Sequence, residues 1–165
     1  MIFKFLSKNF YISFSIVALI YFLDRLSKIY IIHLDKNNLG SDIFNSTYLN
    51  IVLIWKKGIA FGLLSFNEDY LYNILSIIIA MIVVVLVIMS IKSQGFKRYS
   101  LLMVIGGALG NLHDRIFFKA VPDFIDFHIG SFHWFIFNVS DIFITFGIIF
   151  LIVLEISSNK EEKYE

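Results

Sequence analysis

The chain contains no cysteine, which excludes disulfides, thiolate metal sites and a thiol nucleophile. It has one proline, Pro122, so a single position combines a fixed φ with a missing backbone donor. Charge is scarce too: charged residues make up 16% of the 165, and they balance to +1, which leaves no basic face for nucleic acid. No HExxH is present for a zincin-type metal, and no GxSxG for a nucleophilic serine. The four histidines, His33, His113, His128 and His133, show no ligand spacing and read as interfacial or core residues. Neither a metal nor a cofactor is expected, and any catalysis falls to oxygen and nitrogen groups. What the chain has instead is apolar mass. It is 58% hydrophobic, with a mean hydropathy of +0.79, which places a single domain, residues 1–165, in the membrane class.

Residues 70–91 run without a charge and are long enough to cross a bilayer core of about 30 Å as a helix. Three further spans, about residues 10–32, 99–118 and 138–156, are interrupted by polar residues. Lys4 and Lys8 precede the first apolar run as in a signal peptide, but no small-residue cleavage site follows, so a retained helix is expected. Lys4, Lys8, Lys92, Lys97 and Arg98 place the loops they occupy in the cytoplasm by the positive-inside rule. Four transmembrane helices then leave both termini inside. The expected fold is an all-α polytopic membrane protein with a small extracytoplasmic β element in residues 33–69. There Tyr48 to Trp55, YLNIVLIW, is β-branched and aromatic, and Lys57-Gly58 is a turn signal.

Ionisable groups at membrane depth cost about 2.5 to 3.5 kcal/mol on insertion scales, so each needs a reason. At ~1.5 Å per residue, Asp24 lies about 21 Å above Phe10 and Asp114 about 22 Å above Tyr99. Asp141 falls in the first turn of the last helix, which enters from the same outer side. Asp123 lies in the segment between the third and fourth helices, so all four carboxylates converge on one level. Pro122 keeps that segment out of helix and puts Asp123 on irregular backbone, tolerated at this depth where it lines a cavity.

Spacing adds detail. Asp24 and Lys28 stand in the favourable i, i+4 order of an ion pair, a structural role that suffices to explain both. Asn111, Asp114 and Arg115 share one helix face and read as an Arg–carboxylate network locking two helices. Gly106 and Gly110 form a GxxxG that lets a neighbouring backbone approach. Asn138 and Asp141 read as an N-cap with an acidic residue at N3. Two carboxylates within a few ångströms share one proton, so that one can accept a proton from water while the other polarises a carbonyl.

The ordered motifs GGALGNLHDR (Gly106 to Arg115), VPDFIDF (Val121 to Phe127) and FNVSD (Phe137 to Asp141) closely resemble the C-terminal signature of lipoprotein signal peptidase, the bacterial type II signal peptidase. DRLSK (Asp24 to Lys28) and GIAFG (Gly58 to Gly62) are similar to its N-terminal motifs. The resemblance spans nearly the whole chain. It implies an intramembrane aspartic endopeptidase of the bacterial inner membrane, acting near the outer leaflet. Such an enzyme removes signal peptides from prolipoproteins just before a cysteine carrying diacylglycerol. It implies Asp123 and Asp141 as the catalytic dyad. Asp24, Lys28, Gly58, Asn111, Asp114, Arg115 and Asn138 are implied as substrate-binding or supporting residues. Asp126 is the second choice for the dyad. The implied partners are lipid-modified prolipoproteins and membrane lipids, and a monomer is expected. One departure stands out: the family has an asparagine two residues before the glycine of GxAF, where this chain has Lys56, a cation that donates but cannot accept hydrogen bonds.

Two other classes compete. A small proton-coupled membrane carrier would use Asp24, Asp114 and Asp141 as relay groups. A non-catalytic scaffold would use the acids only to pair with Arg25, Lys28 and Arg115.

Overall fold

The computed structural model describes residues 8–37, 42–57 and 69–161. The elements run α1 (Lys8–Asn37), β1 (Leu49–Lys56), α2 (Asp69–Lys92), α3 (Gly95–Phe118), β2 (Val121–Ile129), β3 (Phe132–Phe137) and α4 (Val139–Glu161). The motif GIAFG, Gly58 included, lies outside the described residues.

Helix α3 is the axis of the bundle and packs against α1, α2 and α4. Its glycines make this possible. A Cβ on Gly106 would lie 2.8 Å from Cβ of Ile20 on α1, and one on Gly107 would lie 2.5 Å from the backbone oxygen of Ser140 on α4. At Gly110 it would strike both the Ser140 hydroxyl and the Asp24 carboxylate. The GxxxG expectation is thus realised against two neighbours at once, and Gly147 on α4 returns the close approach toward the Ser100 carbonyl of α3.

The distribution of polarity is inverted relative to a water-soluble protein. Ile77, Met81, Val84, Ile88 and Ile91 on α2 are exposed, as are Phe146, Ile149, Phe150 and Val153 on α4. Asp24, Lys28, Asp114 and Asn138 are meanwhile 0–1% exposed. In water this arrangement would expose far more apolar surface than a monomer tolerates; in lipid it is the stable one. Among the described residues, three helices are long and apolar enough to cross a membrane: Tyr72–Lys92, Gly95–Phe118 and Val139–Ser157.

The β element is larger than the sequence predicts. Strand β1 matches the expected YLNIVLIW segment, but it joins β2 and β3 in a three-stranded antiparallel sheet of order β1-β2-β3. The α3–α4 connection is therefore a hairpin, and Asp123 stands on regular strand, which corrects the expectation of irregular backbone. Pro122 is compatible with this because it pairs with Trp55 near the start of β2, whereas β3 engages only from Ile125 onward. A proline is admissible where one flank of the strand is unpaired. Lys119 ends α3 in the left-handed conformation (φ 55°), and Gly130 supplies φ 60° in the two-residue hairpin turn.

Candidate active site

The site forms where the middle of α1, the C-terminal part of α3, the start of α4 and the start of β2 meet. The lower tier is ionic. The Asp114 carboxylate receives Arg25 through Nη1 at 2.5 Å and Nη2 at 2.7 Å, and Lys28 Nζ at 2.7 Å. Asp24 receives Arg25 Nη2 at 2.8 Å and Lys28 Nζ at 2.9 Å, closing the expected i, i+4 pair. Its other oxygen accepts the backbone N–H of Ser140 at 2.9 Å, so an acid on α1 satisfies an otherwise orphaned donor in the first turn of α4. All the charges in this tier are matched, two cations against two anions, as burial demands.

The upper tier is built on amides. Asn138 caps α4: Asp141 N–H donates to its Oδ1 at 3.1 Å, and its own N–H donates to Asp141 Oδ2 at 3.2 Å. This is the reciprocal capping arrangement the spacing predicts. The side-chain Nδ2 of Asn138 then donates to Asp123 Oδ1 at 2.5 Å, so one residue holds both Asp123 and Asp141. Asn111 ties the tiers together. Its Nδ2 donates to Asp141 Oδ1 at 2.8 Å, while its Oδ1 accepts Lys28 Nζ at 3.0 Å and Asn138 Nδ2 at 3.1 Å. Those bonds fix the amide orientation, because only the oxygen can face a lysine.

Asp123 has a second partner that spacing alone does not reveal. Lys56 on β1 places Nζ 2.8 Å from Asp123 Oδ2 and also donates to the carbonyl of Ile136 on β3. Burial pushes the Asp123 carboxyl above its ordinary pKa, and the charge of Asp141 pushes the same way. Lys56 and the Asn138 amide pull it back. Beside Asp141 opens an apolar cavity of about 300 Å³, lined by Phe127, Phe135, Phe137, Ile142, Thr145 and Phe146.

Of the residues singled out from sequence, Asp24, Lys28, Asn111, Asp114, Asp123, Asn138 and Asp141 converge as expected. Arg115 departs from expectation. It is buried, but its Nη1 donates to the backbone oxygen of Asn111 one turn earlier at 3.0 Å, and the guanidinium on Asp114 is that of Arg25. Adjacent residues on a helix diverge by about 100°, so Asp114 reaches across to α1 rather than to its neighbour. Asp126 also separates from the group. It accepts His133 Nδ1 at 2.8 Å, an odd number of positions from Asp123 and hence on the other face of β2. The absence of ligand spacing among the histidines does not survive folding: Asp126, His128 and His133 gather within 4.8 Å.

Comparison with known proteins agrees with this geometry. The model of the family described as signal peptidase (SPase) II matches residues 16–157. A lipoprotein signal peptidase from Pelagibacter ubique (strain HTCC1062) is 44% identical over 158 residues, covering 96% of this chain and 95% of that protein. One from Anaplasma phagocytophilum (strain HZ) is 42% identical over 142 residues, covering 84% and 88%. Among solved structures, a bacterial membrane enzyme determined by the in meso method at 2.3 Å superposes with a TM-score of 0.75. It is 28% identical and the match covers 93% of this chain and 92% of that one. A second bacterial membrane enzyme, determined by the same method at 1.9 Å, gives a TM-score of 0.70 at 31% identity, with 86% and 90% covered. With its motifs in order, its fold shared and its relatives matched almost end to end, the chain belongs to the signal peptidase II family.

Proposed function

We propose that this protein is an intramembrane aspartic endopeptidase that removes signal peptides from diacylglyceryl-modified prolipoproteins, cleaving before the lipidated cysteine. The observation that carries the reading is the bridge through Asn138, which holds the carboxylates of Asp123 and Asp141 on one amide residue. Two acids so placed retain one proton between them, since burial opposes ionising both. The ionised member takes a proton from water as the oxygen attacks the scissile carbonyl. The protonated member donates to the carbonyl oxygen, and a proton then passes to the leaving amine. Which acid holds the proton at rest is a property of the pair. The ionic tier of Asp24, Arg25, Lys28 and Asp114 acts through Asn111, and Asn138 positions both acids directly.

The charged residues Asp24, Arg25 and Lys28 of α1 face inward, while Phe14, Leu19, Phe22, Leu26 and Ile29 face outward. This supports α1 as a fourth span despite its charges. The charge bias supports a reading with both termini in the cytoplasm and the site at the outer leaflet of the inner membrane, and a monomer belongs to the same proposal. The apolar cavity beside Asp141 suits the hydrophobic flank or an acyl chain of the substrate. A proton-relay carrier is disfavoured by α3, which from Leu101 to Gly110 buries only Leu, Val, Ile and Gly.

The test is cleavage of a synthetic prolipoprotein segment by the purified chain in detergent, with the products read by mass spectrometry. The diacylglyceryl form is expected to yield a single peptide ending just before the cysteine, and the unlipidated form to stay intact. No cleavage, or cleavage at another bond, overturns the reading; equal cleavage of both forms removes its lipid requirement.

Lys56 gives a second measurable consequence. Its cation lowers the pKa of Asp123, so Lys56→Asn lets the protonated carboxyl persist to higher pH. The bell-shaped pH profile of kcat/KM is expected to move to higher pH as a whole. A profile that stays in place, or moves down, would show that the ion pair does not bear on the reacting acids.

A further inference from the structure

The β2–β3 hairpin carries a second group of ionisable side chains, on the face turned away from Asp123. Asp126 and His128 are two positions apart on β2 and so project to the same side. His133 on β3 is the direct cross-strand partner of His128. The two imidazoles lie nearly parallel, with centroids 5.0 Å apart and planes inclined by 21°. One donor atom from each of the three residues lies within 4.8 Å of the other two.

Hydrogen bonding within this group is incomplete. Asp126 is 4% exposed, and one of its oxygens, Oδ2, accepts His133 Nδ1. Its other oxygen, Oδ1, is buried with no hydrogen-bond partner, and so is Nδ1 of His128. A buried polar atom left without a partner is costly, and here two of them sit in one cluster of ligand-type groups. A cation between them would relieve both. Two neutral imidazole nitrogens and one carboxylate oxygen form the donor set of borderline transition metals, whereas Ca²⁺ and Mg²⁺ seek oxygen shells.

We propose that Asp126, His128 and His133 form a binding site for a divalent transition-metal ion, with Zn²⁺ as the type and water completing the shell. Zinc ligands lie about 2.0 to 2.2 Å from the ion. The three donors must therefore draw in slightly, and His133, whose side chain is 53% exposed, is free to do so. The ion would cross-link β2 to β3 behind the strand that carries Asp123. Its role is to brace the hairpin from the opposite face; it takes no part in the reaction.

Isothermal titration of the full chain in detergent tests this, using protein without a histidine tag, stripped by chelator and titrated with ZnCl₂. Saturation at one Zn²⁺ per chain is expected, with Mg²⁺ and Ca²⁺ giving no signal and Zn²⁺ raising the melting temperature. His128→Ala and His133→Ala should each weaken binding by at least the roughly 10- to 100-fold seen even for outer-shell changes. Each variant's metal-free melting temperature separates loss of ligand from loss of fold, and His128→Gln and His133→Gln repeat the measurement with smaller change in packing. No saturable binding overturns the proposal. So does binding that persists in all four variants or that is abolished instead by His33→Ala or His113→Ala, since the ion would then be held elsewhere.

Discussion

Asp123→Asn and Asp141→Asn are each expected to stop prolipoprotein processing, with a loss of about 10³-fold or more, while the protein still accumulates in the membrane. The magnitude comes from the proposed role: a positioned acid or base contributes about 10² to 10⁴ in rate, and in the proposed mechanism each member supplies one half of a coupled proton exchange that fails without the other. Asparagine preserves the shape of either side chain and keeps an oxygen for Asn138 Nδ2 or for the N–H that caps α4. It cannot take or give the proton. If the two acids work as a unit, as proposed, the double variant should be scarcely worse than either single one. The measurement is cleavage rate per mole of membrane-extracted protein, with a melting curve to show that the fold survives. Near-normal processing by both variants would sink the dyad. Processing that survives Asp123→Asn but is lost in Asp126→Asn would transfer the role to the neighbouring carboxylate.

That last outcome is disfavoured by the pleat of β2. Asp123 and Asp126 look interchangeable in DFIDF, but three positions on a strand place them on opposite faces. Asp123 meets Asn138 and the start of α4; Asp126 meets His133. The strand itself is not legible in the sequence, because a lone proline in a short connection signals an end to helix and does not specify a strand after it. Only pairing with Trp55 on one flank, and the late arrival of β3 on the other, makes Pro122 a strand residue. Local signals succeed where a rule fixes a contact at short range. The Asp24–Lys28 pair, the Asn138–Asp141 cap and the glycine approaches are all written in spacing. Depth counting also places Asp24 level with Asp114, and Arg25 and Lys28 bridge them. Spacing does not supply contacts between distant segments: Lys56 on Asp123, Ser140 on Asp24 and His133 beside His128. Each depends on register between elements, which no local pattern encodes.

The ionic tier yields the second large effect, this time on stability. Asp114→Ala is expected to cost about 3 to 5 kcal/mol, the penalty for leaving buried cations without their counter-ion. Asp114 is fully buried and receives three bonds, from both terminal nitrogens of Arg25 and from Lys28, and the single remaining carboxylate, Asp24, cannot balance two cations. For a chain of this size that loss lowers the melting temperature by on the order of 10 °C. Processing should fall with it, because Lys28 orients Asn111 and Asn111 holds Asp141. A double-mutant cycle separates charge from packing. Asp114→Ala combined with Arg25→Met removes an anion and a cation together, and should cost clearly less than the sum of the single changes. Simple additivity would mean the tier contributes packing alone, and an unchanged melting temperature in Asp114→Ala would mean that lipid or water satisfies Arg25 and Lys28 as well as Asp114 does.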